Sequence, residues 1–324
     1  MSSPCLLVGD IGGTNARFAL ASTDKPGFSN EITLQCDDFE SADASIKHYL
    51  EQVESGMPDV ICLAAAGPVV DQRVRFTNNH WLLDGESLKR EFSISKVLIL
   101  NDFESIAYSM PFIDQDDLLP IGLPLPKPLK KDHYMLGVLG PGTGLGAVGL
   151  RKYGDTFIPI SGEAAHSGFA AETAVQIEVL KKLRDRFDRV SCERLVSGPG
   201  LENIYWALTQ IHKENRIHLS PAEIFKAAID NTDMLASESV QLFFEVLGQV
   251  AGDLALTLGA YDGIYIGGGI TQRYPEIVAN SLFRSGFERK GRHRSLMERI
   301  PTQLIMYKQP GLLGSAYCAL QLAD

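Results

Sequence analysis

A chain of 324 residues with 45% hydrophobic and 22% charged side chains has the make-up of an ordinary globular protein, long enough for two cores rather than one. Its formal net charge of −10 excludes a broad basic face for nucleic acid, which must neutralise phosphates, but not a local pocket for a nucleotide. Cys5, Cys36, Cys62, Cys192 and Cys318 are scattered, without a CxxC pair or histidines at metal-ligand spacing, which excludes a disulfide framework and a zinc site. The first residues lack the basic and apolar stretches of a signal peptide, and no apolar run approaches the roughly 20 residues that span a bilayer. The expectation is a cytoplasmic protein with no membrane or nucleic-acid partner.

In chain order, the apolar run Leu6-Leu7-Val8 leads through Gly9 into Asp10-Ile11-Gly12-Gly13-Thr14, and a second apolar run follows at 18–21. Strand, glycine turn, strand predicts a β-hairpin, because glycine adopts turn conformations that other residues resist. Residues 42–54 carry Ile46, Tyr49, Leu50 and Val53 at helical spacing. Residues 60–66 form a continuous apolar strand closed by Gly67-Pro68, and 97–100 form another, followed by Asn101-Asp102 and a helix-like stretch. This alternation predicts an α/β lobe with a mixed sheet. The segment 120–131, rich in proline and lysine, reads as an exposed loop near a lobe boundary.

A second hairpin of the same grammar follows: 134–139, then Gly140-Pro141-Gly142-Thr143-Gly144-Leu145-Gly146, then 147–150. One such motif in each half suggests two lobes of similar build. Beyond Arg151 the pattern turns helical, with a charged amphipathic helix over 170–187. Residues 237–258 place Leu242, Val246, Leu247, Val250, Leu254 and Leu258 on one face of a long core helix. Strand 263–266 runs into Gly267-Gly268-Gly269, and 312–322 forms a closing helix after Pro310-Gly311.

The glycine loops carry the chemistry. Gly12-Gly13 lets backbone N–H groups approach anionic oxygens, and Asp10 beside them can hold a hydrated Mg²⁺ that bridges to phosphates. A plain hairpin turn is the alternative; the polar company of Thr14, Asn15 and Arg17 favours phosphate. Gly144-Leu145-Gly146-Ala147-Val148-Gly149 matches GxGxxG, yet a dinucleotide turn must open a helix and 147–150 reads as strand, so NAD is rejected. Gly267–Gly269 could receive a flat nucleobase or ribose, or could equally be a tight strand-to-helix turn.

These loops in this order, with Leu63-Ala64-Ala65-Ala66-Gly67-Pro68 and the helix opening at Pro310-Gly311, resemble the hexokinase–actin–chaperone ATPase superfamily. More narrowly, 9–17, Thr77-Asn78-Asn79-His80-Trp81, Asn101-Asp102-Phe103-Glu104, 140–146, Ser161-Gly162-Glu163-Ala164-Ala165-His166, 193–200 and 286–291 are similar to the bacterial glucokinase family across nearly the whole chain. The cysteine-rich zinc motif of the related ROK sugar kinases is missing, which points to the zinc-free branch. The resemblance implies an α/β, two-lobed actin-like ATPase fold of the ribonuclease H-like type. Its mixed sheets would be flanked by helices, its active site would lie in the interlobe cleft, and its lobes would be 1–111 plus 312–324 and 112–311.

It further implies transfer of phosphate from ATP to the 6-hydroxyl of glucose, the first step of glycolysis, with Mg²⁺ as cofactor. By resemblance Asp102 is the catalytic base, and Asn101, Asp102, Glu163, His166 and Glu193 bind glucose. ATP would lie on Gly9, Asp10, Ile11, Gly12, Gly13, Thr14, Gly140, Gly142, Thr143, Gly144, Gly267, Gly268 and Gly269, with Mg²⁺ held through water at Asp10. The plainer alternatives are a helix cap at Asn101-Asp102 and solvated carboxylates at Glu163 and Glu193. Ala164-Ala165 departs from the glycines common in that stretch. A homodimer is the default assembly. Rival readings are a kinase for another hexose, a sugar-sensing regulator and a polymerising ATPase.

Overall fold

A computed structural model describes residues 4–76, 79–126, 129 and 132–323. Thr77 and Asn78 of the resemblance, and Lys127, Pro128, Lys130 and Lys131 of the proline-rich segment, lie outside the described residues. The chain divides into two compact units, Met1–Asp114 with Tyr307–Asp324, and Gln115–Met306. Both are α/β with mixed sheets flanked by helices.

The first unit opens on an antiparallel meander, β1 (Leu6–Ile11), β2 (Asn15–Ala21) and β3 (Phe28–Gln35). Helix α1 (Ala42–Gln52) starts where the Ser41 hydroxyl accepts from Ala44 N, and it buries Ile46, Tyr49 and Leu50. Strand β4 (Val60–Ala65) is buried at every position, which is why it reads as an unbroken apolar run. The small hairpin β5 (Arg73–Arg75) and β6 (Leu82–Asp84), helix α2 (Gly85–Phe92), strand β7 (Lys96–Asn101) and helix α3 (Asp102–Ser109) follow.

The sheet order is β3-β2-β1-β4-β7, with β1, β4 and β7 parallel. Ile11 stands opposite Ala65, and Ala65 opposite Asn101. The β1–β2 turn and the start of α3 therefore share one sheet edge, at the carboxyl ends of parallel strands, where open α/β sheets bind ligands.

The second unit begins with β8 (Leu118–Pro120), β9 (His133–Pro141), β10 (Leu145–Tyr153) and β11 (Thr156–Ser161). Helices α4 (Ala174–Arg186), α5 (Gly198–His212), α6 (Pro221–Ile229) and α7 (Met234–Leu258) form its core with the sheet. Strand β12 (Gly263–Ile266), four short helices and strand β13 (Thr302–Ile305) complete it. The short helices are α8 (Gly269–Arg273), α9 (Pro275–Ala279), α10 (Phe283–Glu288) and α11 (Arg294–Met297). The sheet order is β11-β10-β9-β12-β13-β8.

Two expectations change here. The chain does not turn helical directly after Arg151: Thr156–Ser161 is an edge strand paired antiparallel with β10, and an edge tolerates Pro159 because its outer side needs no donor. The helix expected over 170–187 begins only at Ala174, set by a capping box between Thr173 and Gln176. Strand β10 runs unbroken through Gly149, as the rejection of a dinucleotide turn requires.

Helix α12 (Pro310–Ala323) returns to the first unit and covers one sheet face, where Leu312, Ala316, Cys318 and Ala319 pack with Leu6, Val8, Cys62 and Leu100. A buried hydroxyl node ties this helix to the site-bearing elements. Ser105 Oγ donates to Gly311 O at 2.7 Å and meets Ser315 Oγ at 3.0 Å, and Ser315 Oγ donates to Gly9 O at 3.4 Å.

Candidate active site

In the first unit Asn101 caps a helix. Its Oδ1 accepts from Phe103 N at 3.0 Å and Glu104 N at 3.4 Å as the N-cap of α3, and its Nδ2 donates to Gly67 O at 3.1 Å. Asp102 is thereby the first residue of α3. Its Oδ1 accepts from Phe103 N at 3.0 Å, while Oδ2 takes no hydrogen bond among the described residues. Burial, with the Asp10 charge adding to it, pushes the Asp102 carboxyl up to about 7, against the lowering effect of the hydrogen bond from Phe103 N.

Asp10 lies on β1. Burial raises its pKa too, and Arg17 opposes the rise with Nη1 at 3.7 Å from Oδ2. Two neighbouring, half-buried carboxyls share one cation at that distance, so ionising both leaves a surplus of negative charge. A hydrated divalent ion would offset it, and carboxylate oxygen is a ligand Mg²⁺ accepts, so the residues present fit that metal.

The β1–β2 turn is held rigidly. Gly12 N donates to Asn15 O at 2.9 Å, Cys36 N to Thr14 O at 2.8 Å, and Asn79 Nδ2 to Gly12 O at 3.3 Å. Asn79 is in turn fixed by Trp81 N, which donates to its Oδ1 at 2.9 Å, and Trp81 is buried. Among the described residues the N–H groups of Gly13 and Thr14 donate to nothing, which leaves two fixed donors for an anionic oxygen. Gly9 and Ile11 are buried strand positions rather than turn positions. Sequence reasoning did not single out Asn79; its one signal was its place within the stretch 77–81.

The second unit repeats the arrangement. In the β9–β10 turn Gly142 N donates to Gly144 O at 2.8 Å, and the N–H groups of Thr143 and Gly144 have no acceptor among the described residues. The third glycine loop is a strand-to-helix turn from β12 into α8, with Gly268 at φ 90°. A Cβ on Gly268 would lie 2.4 Å from Pro141 O, so the two turns touch backbone to backbone and only glycine fits between them. The Gly268 and Gly269 N–H groups are likewise without an acceptor among the described residues.

Glu163 and His166 flank a short 3-10 turn, with His166 Nε2 at 3.7 Å from Glu163 Oε2 and side chains 55% and 65% exposed for the histidine and the glutamate. Their loop is pinned to the segment carrying Glu193. Cys192 N donates to Ser167 O at 3.0 Å, Gly168 bridges Ser191, and Arg189 Nη2 donates to His166 O at 2.7 Å. Glu193 Oε2 accepts from Leu145 N at 3.0 Å, directly after the second turn. The first unit thus gathers Asp10, Asn101, Asp102 and one glycine turn with unengaged N–H groups among the described residues. The second gathers Glu163, His166, Glu193 and two such turns.

Among the described residues no helix is long and apolar enough to cross a membrane. The family model described as Glucokinase matches residues 7–322. A glucokinase of Hahella chejuensis is 37% identical over 310 residues, covering 96% of this chain and 95% of the relative. One of Nitrobacter hamburgensis is 39% identical over 316 residues and 97% of each chain. The crystal structure of a glucokinase from an Antarctic psychrotroph superposes with a TM-score of 0.89 at 32% identity, over 99% of this chain and 100% of the other.

Proposed function

The chain belongs to the glucokinase family, and on that premise we propose that it transfers the γ-phosphoryl group of ATP to the 6-hydroxyl of D-glucose, with Asp102 as the base. The observation that carries the assignment of the base is Asp102 itself: a carboxylate with one oxygen spent on its own helix, the other unengaged, and a pKa of about 7. A general base works best with a pKa near the working pH. Asn101 serves chiefly to aim it, by fixing where α3 begins.

Phosphoryl transfer asks for positioning and charge neutralisation more than for covalent chemistry. Donor pairs at Gly13-Thr14, Thr143-Gly144 and Gly268-Gly269 suit phosphate and ribose oxygens, and among the described residues none has a protein hydrogen bond to break first. Mg²⁺ bound through water at Asp10 would supply positive charge to the phosphates. Glu163, His166 and Glu193 are the proposed partners of the remaining sugar hydroxyls; groups built to pair with particular hydroxyls reject analogues that leave them unpaired. The five free cysteines suit a reducing cytoplasm, and a homodimer is the assembly expected.

The test is a coupled assay with Mg²⁺ and ATP across a panel of hexoses. Glucose should be turned over fastest, and ATP hydrolysis without sugar should be slow. A better substrate among the other hexoses, or sugar-independent hydrolysis at the same rate, defeats the reading. Asp102→Asn should lower kcat by about 100-fold or more with little change in glucose affinity.

A further inference from the structure

We propose that Glu193 is a positioning residue for the nucleotide as well as a ligand for the sugar. One carboxylate oxygen orders the second glycine turn and the other is left for a sugar hydroxyl, so that each ligand changes the affinity for the other. The inference rests on the reading of Glu193 as a sugar ligand.

Glu193 Oε2 accepts from Leu145 N at 3.0 Å, and Leu145 is the first residue of β10, adjoining the unengaged donors of Thr143 and Gly144. Oε1 takes no hydrogen bond among the described residues. The same short stretch grips the turn a second time, because Gly198 N donates to Gly142 O at 2.8 Å. Ser197 Oγ closes the stretch on itself by donating to Glu193 O at 2.8 Å. On its other flank the turn lies against Gly267 and Gly268. The turn is thus fixed by backbone contacts on both sides and by the carboxylate at its end.

The glycine at 144 belongs to the same contact. Its backbone does not require glycine, since its φ lies outside the left-handed range, yet a Cβ there would stand 2.6 Å from Glu193 Oε2. Glycine leaves the space into which the carboxylate settles. A charge-assisted N–H to carboxylate bond is among the stronger hydrogen bonds, so a sugar hydroxyl pulling on Oε1 shifts Oε2, Leu145 and the neighbouring donors together. Linkage then makes the effect mutual: the factor by which glucose tightens nucleotide binding equals the factor by which nucleotide tightens glucose binding.

Calorimetry with Mg²⁺ and a non-hydrolysable ATP analogue, with and without glucose, tests this on the full chain. In the absence of sugar, Glu193→Ala should weaken analogue binding by about tenfold and abolish the coupling factor. Glu193→Gln keeps an oxygen able to accept from Leu145 N, so it should hold analogue affinity within about twofold while losing glucose affinity. Gly144→Ala, which leaves the carboxylate chemistry intact and displaces it, should weaken the analogue and glucose together. Should Glu193→Ala not fold, the Glu193→Gln and Gly144→Ala pair decides. Sugar-free analogue affinity equal to wild type in Glu193→Ala or Gly144→Ala overturns the positioning role. A wild type that binds the analogue but no glucose defeats the sugar reading, and the coupling with it, a different outcome from that one.

Discussion

Burial and the Asp10 charge raise the Asp102 carboxyl to about 7, and on its proposed role as base that has consequences for both rate and stability. Below about pH 7 the ligand-free carboxyl is protonated and cannot take a proton from a hydroxyl. At sub-saturating glucose, kcat/KM should therefore fall by about tenfold for each pH unit below that point. Asp10→Asn removes the smaller of the two raising causes, so the acid limb should move to lower pH without reaching the ordinary carboxylate range, because burial remains. A limb unmoved in that variant would remove Asp10 from the electrostatics of the base. The folded-state pKa lies above the ordinary 3.8, so ionising Asp102 works against folding, and its contribution to stability is lost as pH rises from about 4 to about 7. Asp102→Asn should accordingly melt higher than wild type at pH 8, with the gap narrowing towards pH 4. Activity and stability are opposed at this residue.

At the scale of elements, the closest approach near the site is between α12 and α3. A Cβ on Gly314 would lie 1.7 Å from Ser105 O, so the helices touch through bare backbone with the Ser105–Ser315 node beside them. Gly314→Ala must push them apart, and should cost about 2–4 kcal/mol in urea unfolding and lower kcat, since α3 opens at Asp102. Ser105→Ala, which removes only hydroxyl bonds, should cost about 1 kcal/mol. An alanine at 314 with wild-type stability would show that this contact is looser than its geometry. These elements were legible in the sequence where their pattern is local. Both glycine hairpins, strands β4 and β7 and the long helix α7 were read from apolar runs and spacing alone. Strand β11 was not, because an edge strand with an internal Pro159 and mostly exposed side chains carries no apolar run to read. The bonds from Asn79 to Gly12 and from Glu193 to Leu145 join residues far apart in sequence, and no periodicity encodes them. The glycine turns could be read as candidate phosphate loops from chemistry, whereas the proposed sugar ligands came only from resemblance.

For the whole molecule, the decisive feature is that the first unit is built from both ends of the chain, with 115–306 inserted between Asp114 and Tyr307. One face of its sheet stays uncovered until α12 arrives, because that helix brings Leu312, Ala316, Cys318 and Ala319 to the cluster around Leu6, Val8, Cys62 and Leu100. Burial of a large apolar side chain contributes roughly 1.5–3 kcal/mol, and a domain's net stability is only about 5–15 kcal/mol, so losing this face should exceed what the first unit can spare. The second unit takes its core cluster from within 115–306, and the same change removes none of those residues. A chain truncated before Pro310 should therefore keep slow amide exchange in β9, β10 and α7 while β1, β4 and β7 exchange freely. Its kinase activity should vanish although the deleted segment holds none of the proposed ligand residues. Equal protection in both units of the truncated chain would mean that the first sheet stands without its covering helix.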